Sequence, residues 1–130
     1  MKKNIFILVS TLLFMGFFIT SCKIDLEKKA PAYADIAGRK IAKCCSPSPT
    51  DVKIDYNGYS LMKNGRLKID MVVNWKNSIT GCHFSLYGFL YVDKNGCNPD
   101  FRKEHVDAPG IGCIYDITCL KRCKLPECLE

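Results

Sequence analysis

The clearest pattern in this chain is an alternation of apolar and polar residues in its central part. From Leu67 to Trp75 every odd-numbered side chain is apolar, whereas Lys68 and Asp70 lie at even positions. A period of two is typical of a β-strand with one buried face. A shift of one residue would expose the whole apolar set, so the pattern also fixes the register of the strand. We therefore expect the odd-numbered side chains, Trp75 included, to be buried.

A second, longer strand is predicted from Cys82 to Val92, where apolar residues occupy both faces. This composition favours a central strand that is covered on each side. Shorter apolar runs at 52–56, 59–62 and 111–119 predict further strands. Together these segments indicate an antiparallel arrangement of short strands.

Three Asn-Gly dipeptides separate the apolar runs. Both central residues of a type I′ hairpin turn have positive φ, which Asn and Gly tolerate best. We therefore expect hairpin turns at Asn57-Gly58, at 63–66 and at 93–96.

Residues 32–45 change to helical spacing, with apolar side chains at Tyr33, Ile36, Ala37, Ile41 and Cys44. The alternative is a loop, because Gly38 in a helix costs up to about 1 kcal/mol relative to Ala. Residues 22–31 are charged and end in Pro31, which predicts a solvated tether. Residues 32–130 are then a single domain, mostly β: a small antiparallel β-meander or sandwich, cross-linked by disulfides, with a short N-terminal helix.

Residues 1–21 have the composition of an export signal. Lys2 and Lys3 precede an almost wholly apolar stretch from Ile5 to Ile19, and small residues follow. These are the parts of a secretory signal peptide. The apolar stretch is shorter than the about 20 residues of a spanning helix, so a retained membrane anchor is the weaker alternative.

The end of this segment, Ile19-Thr20-Ser21-Cys22, resembles the lipobox of bacterial lipoproteins. The resemblance implies that the Cys22 thiol carries a diacylglyceryl group, that a peptidase cuts before Cys22, and that the new amine is acylated. Two or three acyl chains hold a protein stably on a bilayer, whereas one chain binds only marginally. The alternative is an ordinary signal peptide cut near Cys22, which would release a secreted protein.

The chain has nine cysteines, an odd number that would leave one thiol unpaired on an exported protein. With Cys22 acylated or removed, the other eight can form four disulfides. We expect the adjacent Cys44 and Cys45 to bond to different partners. Zinc is the alternative, but the C-x2-C spacing common in structural zinc sites is missing. The eight cysteines expected to pair are Cys44, Cys45, Cys82, Cys97, Cys113, Cys119, Cys123 and Cys128.

Basic residues exceed acidic ones by 19 to 13, a net charge of +6, which falls to +4 once Lys2 and Lys3 leave with the signal. Basic side chains cluster at 39–43 and again at Lys121, Arg122 and Lys124. Disulfides that bring the two clusters together would create a positive patch suited to anionic lipid headgroups or an acidic partner. The alternative is an ordinary solvated face, and the modest excess argues against nucleic-acid binding.

Aromatic residues provide a second candidate binding surface. Tyr87, Phe89 and Tyr91 share one face of the predicted central strand, and Tyr56 and Tyr59 flank a predicted turn. Exposed Tyr clusters mark contact surfaces. Large uncovered patches are uncommon on monomers, however, so we expect a second core layer here, with binding as the alternative.

Few residues offer catalytic chemistry. The only histidines are His83 and His105, and no hydrolase, metalloprotease or phosphate-binding motif accompanies them. The turn at 93–96 does not have calcium-loop spacing. We therefore predict no enzyme activity, cofactor or metal. The predicted function is that of a lipid-anchored lipoprotein at the cell envelope, a binding or structural module whose partners are membrane lipid and a protein. The alternative is a freely secreted, disulfide-rich effector such as a toxin, inhibitor or cytokine-like ligand.

Overall fold

The computed structural model describes residues 25–130, so the signal segment, the lipobox-like sequence and Cys22 lie outside the described residues. A helix, α1, covers residues 25–45, and a short helix, α2 (Cys119–Arg122), lies near the C-terminus. Between them are the strands β1 (Pro49–Leu61), β2 (Leu67–Asn77), β3 (His83–Val92) and β4 (Asp100–Asp107).

The four strands form one antiparallel sheet in the order β1-β2-β3-β4. Each strand pairs with its neighbour in sequence, which is a β-meander. The predicted fold class, mostly β with an N-terminal helix and disulfide cross-links, is confirmed.

The alternation predicted for β2 is also present. Side chains at positions 67, 69, 71, 73 and 75 are all buried on the face of the sheet that packs against α1. Trp75 is 2% exposed and lies opposite Phe84 of β3, with their ring centroids 5.4 Å apart. We call this buried side of the sheet the inner face.

Small side chains bring α1 close to the sheet. The residues of α1 that are fully or almost fully buried are Ala30, Tyr33, Ala34, Ala37, Ile41 and Ala42. Gly38 belongs to the same face, and a Cβ there would lie 2.5 Å from Cδ1 of Ile54 on β1. Gly38 therefore permits close helix–sheet contact and does not interrupt the helix, so the loop alternative for 32–45 is excluded.

The predicted tether differs from the structure over residues 25–31, which are helical. Ala30 is buried in this part, and Lys29 forms an ion pair with Glu130 at 3.3 Å. Leu26 and Ala30 continue the apolar spacing of α1 and pack against the core. This packing stabilises the helix on the N-terminal side of Pro31. The predicted boundary at residue 32 is therefore wrong.

The predicted hairpin at Asn57-Gly58 is wrong as well, because β1 continues through it. The register shifts between Tyr56 and Tyr59, and Gly58 has a φ of 107°, which identifies a β-bulge. Apolar residues occupy even positions before the bulge and odd positions after it. The extra residue keeps both sets on the inner face, opposite Met71 and Ile69 of β2.

The other two turns are confirmed in position but are not type I′, because Asn64 and Asn95 do not have positive φ. Gly65 and Gly96 have φ values of 83° and 88°. Each glycine N–H donates to the carbonyl three residues earlier, that of Met62 at 3.0 Å and that of Asp93 at 2.9 Å. These turns connect β1 to β2 and precede β4. We call the end of the sheet where they lie the turn end.

The last strand lies earlier than predicted. β4 comprises Asp100–Asp107, a charged run, whereas residues 111–118 form turns and irregular backbone and Cys119 begins α2. β4 is an edge strand with mostly exposed side chains, so it lacks the apolar alternation by which a half-buried strand is recognised.

Four disulfides fasten the C-terminal segment to the rest of the domain. Both adjacent cysteines of α1 bond to this segment, one to each of two sites around α2, as expected for different partners. Cys82 and Cys97 reach it from loops near each end of β3. The four pairs are Cys44–Cys123, Cys45–Cys119, Cys82–Cys113 and Cys97–Cys128.

Candidate binding surface

The second face of the sheet, which we call the open face, carries the aromatic row of β3. Phe84, Leu86, Leu90 and Val92 face the core, so the alternating residues Tyr87, Phe89 and Tyr91 point the other way. All three are half-buried. Asp70, Arg102 and His105 around them on the neighbouring strands are exposed.

Residues 25–130 therefore do not form the second core layer expected under this row. The reason is that the C-terminal segment packs on the same side of the sheet as α1: Leu120 and Leu125 line one cavity with Ile41 and Phe101. Cross-links at Cys44 and Cys45 hold the segment against the C-terminal end of α1. The helix and the segment thus share the inner face.

Side chains from both neighbouring strands lie over the aromatic row, a lysine from β2 and an imidazole from β4. Lys68 of β2 is paired with Tyr91, and its Nζ lies 4.3 Å from the ring centroid of Phe89 and 6.0 Å from that of Tyr91. His105 of β4 is paired with Tyr87, and their rings stack with centroids 4.2 Å apart. The contact of the Lys68 ammonium with these rings is worth about 0.5–1 kcal/mol at an exposed site.

A hydrogen-bond network orders the rest of the open face. Ser85 donates to Oδ1 of Asn74 at 2.7 Å, and the Asn74 amide donates to a carboxylate oxygen of Asp55 at 2.9 Å. On the other side of the aromatic row, Arg102 donates to Asp100 at 3.1 Å. All four strands thus contribute polar side chains whose partners hold them in place.

Two shallow depressions adjoin the aromatic row. One, of about 470 Å³, lies at the turn end between Arg66, Tyr91 and Arg102. The other, of about 300 Å³, lies above the β1 bulge between Asn57, Lys68 and Phe89. Each contains aromatic, basic and amide groups, a combination suited to recognition of a polar, partly apolar surface.

Among the other aromatic residues singled out in the sequence, Tyr59 lines the depression above the β1 bulge, whereas Tyr56 does not join this surface. Both pack against the core on the inner face, and burial raises the pKa of Tyr56. Sequence analysis missed Lys68 and Arg102 as members of the open face. The sequence shows that both residues occupy even positions. It does not show the pairing of β2 and β4 with β3, which places Lys68 and Arg102 beside the aromatic row.

The two basic clusters also come together. Cys44–Cys123 joins the end of α1 to the segment after α2, and the Cys123 sulfur lies 3.9 Å from the carbonyl oxygen of Lys40. The basic patch formed in this way consists of Arg39, Lys40, Lys43, Lys121, Arg122 and Lys124.

Two members of the basic patch are held by acidic neighbours. Arg39 donates to Asp35 at 3.0 Å, and Arg122 donates to Asp116 at 2.5 Å. The Arg122 guanidinium, together with Thr118, lowers the pKa of Asp116 to about 2. A depressed pKa means that this contact is complete above the ordinary pKa of 3.8 and is lost only as the pH falls through about 2.

Little in the described residues suggests catalysis or metal binding. His83 is exposed at the start of β3, and His105 is occupied by its stack on Tyr87. Within residues 25–130, no group of three or more His, Cys, Asp or Glu side chains is placed to hold a metal ion. The helices in this part of the chain are too short or too polar to cross a membrane.

No family model matches the sequence, and no curated protein or solved structure matches the chain. The argument for function therefore rests on the residues and their geometry.

Proposed function

We propose that this chain is an exported, lipid-anchored and non-enzymatic binding module that recognises a protein partner through the open face of its sheet. The observation that carries the proposal is the aromatic row of β3, which is half-exposed and flanked by the cationic side chains of Lys68 and Arg102 and by the imidazole of His105.

The disulfides support an extracytoplasmic location. All eight cysteines of the described residues are paired, and such disulfide density is typical of oxidising compartments. Lipid anchoring is inferred from the lipobox resemblance at Cys22. The other eight cysteines pair among themselves, which fits a separate role for the Cys22 thiol.

The composition of the open face supports a protein partner. Tyr, Phe and Arg are enriched in protein interfaces, where rigid aromatic side chains provide large contact area. The face presents both signs of charge, with Asp55, Asp70 and Asp100 among the cations. A mixed pattern of this kind favours complementary pairing with another protein over attraction to a uniformly charged polymer.

Acylation is tested by growing cells that express the full chain with an alkyne-labelled palmitate. We expect label on the wild type and none on Cys22→Ala, with Cys97→Ala as the matched control that keeps its label. Absence of label from the wild type, or equal label on Cys22→Ala, would contradict the anchor and leave the secreted effector as the explanation.

Recognition by the open face is tested with a photo-crosslinking amino acid in place of Tyr91, in cells that export the protein. The control places the same residue at Lys94, which is exposed in the turn before β4. We expect a discrete protein adduct from position 91 alone, and we expect Arg102→Glu to abolish it. An adduct pattern shared by both positions, or no adduct at either, would contradict this surface.

A further inference from the structure

The positive charge of the domain is concentrated at one place. The basic patch has six basic side chains, and its two acidic neighbours are Asp35 and Asp116. Residues 25–130 outside this group have 10 basic and 11 acidic side chains, so the patch accounts for all of the net positive charge. Within the described residues, Lys40, Lys43, Lys121 and Lys124 form no ion pair.

Exposed isoleucines lie beside this charge. Ile111, Ile114 and Ile117 belong to residues 108–118, which we call the isoleucine loop, and each is at least 75% exposed. Cys82–Cys113 fastens the loop to the connection between β2 and β3, where Ile79 is 79% exposed. Large aliphatic side chains this exposed have no packing role in the domain, and a cluster of them marks an interaction site.

The isoleucine loop runs directly into the basic patch. Ile117 is two residues before α2, whose Lys121 and Arg122 belong to the patch. Within this segment the Tyr115 hydroxyl lies 3.2 Å from the Cys119 sulfur, which ties the loop to the Cys45–Cys119 cross-link. Apolar side chains next to unpaired lysines are the arrangement by which peripheral proteins enter the boundary between headgroups and acyl chains.

We infer that the isoleucine loop and the basic patch together bind an anionic lipid bilayer, in addition to the acyl anchor at Cys22. The isoleucines enter the interfacial region, and the lysines neutralise anionic headgroups. The net positive charge beside the apolar side chains, with four lysines outside any ion pair in the described residues, favours a lipid surface over a protein partner of mixed charge. This contact is separate from the open face and does not depend on acylation.

The experiment uses the oxidised mature chain, residues 22–130, with Cys22→Ser so that no acyl chain contributes. Binding is measured by co-sedimentation with vesicles of phosphatidylcholine, with and without phosphatidylglycerol. We expect binding to the anionic vesicles only. Because each lysine near an anionic surface contributes a factor of about 5, Lys121→Glu with Lys124→Glu should weaken binding by about 30-fold or more.

The apolar part is tested with Ile114→Ser and Ile117→Ser together, which should weaken binding by about tenfold or more because two buried aliphatic side chains are lost. The matched charge control is Lys63→Glu with Lys94→Glu, two exposed lysines at the turn end, and it should bind as the parent does. All six positions are exposed, so each variant should fold as the parent does; a count of free thiols checks that it is fully oxidised, and a peptide map of the unreduced protein checks the pairing.

Several results would overturn the inference. These are absence of binding to anionic vesicles, equal losses in the patch variant and the turn-end control, and unchanged binding after substitution of the isoleucines. Sedimentation velocity can give one more such result. If the protein is a dimer and Ile114→Ser with Ile117→Ser makes it a monomer, the isoleucine loop binds a second copy of the chain instead of a bilayer. Loss of the lipid contact would leave palmitate labelling at Cys22 unaffected, so the two proposals fail independently.

Discussion

At the scale of single residues, Trp75 shows how one position combines several contributions to stability. Its indole ring is almost fully buried and stacks on Phe84. Its ring N–H has no hydrogen-bond partner among the described residues. The ring therefore stabilises the core by packing, while its polar atom carries a desolvation cost.

We expect Trp75→Ala to lower the free energy of unfolding by about 3–5 kcal/mol, the usual cost of a large core truncation. Trp75→Phe should cost less, since most of the ring remains and the unpaired N–H is removed. Urea denaturation measures both. Lys68→Ala on the open face serves as the control and should cost no more than about 1 kcal/mol. A larger loss for Lys68→Ala than for Trp75→Ala would contradict the register of β2.

The environment of a residue could be predicted where it follows from neighbouring residues in the sequence, and could not where it depends on a distant strand. The alternation from Leu67 to Trp75 was enough to predict the buried side of β2, because sheet pleating alone relates sequence to face. The role of Gly38 was not predictable, since its cause is Ile54 on a strand that is distant in the sequence. The same holds for His105, which meets Tyr87 only through pairing of β4 with β3.

At the scale of elements, α1 and α2 are joined by two disulfides that close nearly the same loop. Cys44–Cys123 spans 79 residues and Cys45–Cys119 spans 74. When one of these bonds is present, the other closes only a small additional loop, made of the few residues that separate the two cross-links. In the chain-entropy description of disulfides, the two contributions are therefore strongly non-additive.

We expect removal of one of these bonds, by Cys44→Ala with Cys123→Ala, to cost about 2 kcal/mol. Removal of both bonds should cost about 6 kcal/mol, because the second substitution opens the long loop. Urea denaturation of the oxidised variants gives both values. If removal of both bonds lowered the free energy of unfolding by the same amount as removal of one, the two loops would not act together in the unfolded chain.

Elements were predicted well where local and long-range preferences agree. The turns at 63–66 and 93–96 follow from their Asn-Gly dipeptides. At Asn57-Gly58 the same dipeptide lies inside β1, because pairing with β2 on both sides outweighs the local turn preference. β4 was not predicted, because its sequence has no apolar alternation. Residues 111–119 were predicted as a strand because of their isoleucines, which are exposed in the structure.

At the scale of the whole molecule, the sheet separates two surfaces with different chemistry. The open face has aromatic residues and charges of both signs. The basic patch and the isoleucine loop lie with the end of α1 and the segment that shares the inner face with it. The aromatic row of the open face was identified from the sequence, whereas its exposure was not. The exposure of the row depends on which face of the sheet the C-terminal segment covers. The disulfide connectivity decides that face, and connectivity cannot be deduced from the sequence alone.

The placement of the cross-links has a consequence for proteolytic damage. The first cross-linked cysteine is Cys44 and the last is Cys128, and the bridged intervals overlap from one to the next. A protease that cuts any one peptide bond between 45 and 128 therefore leaves two fragments that are still covalently joined. Limited digestion should give a single full-length band on a non-reducing gel and two fragments on a reducing gel. Release of a fragment before reduction would contradict this connectivity. A molecule nicked once within this span would thus keep both of its surfaces in one covalent unit.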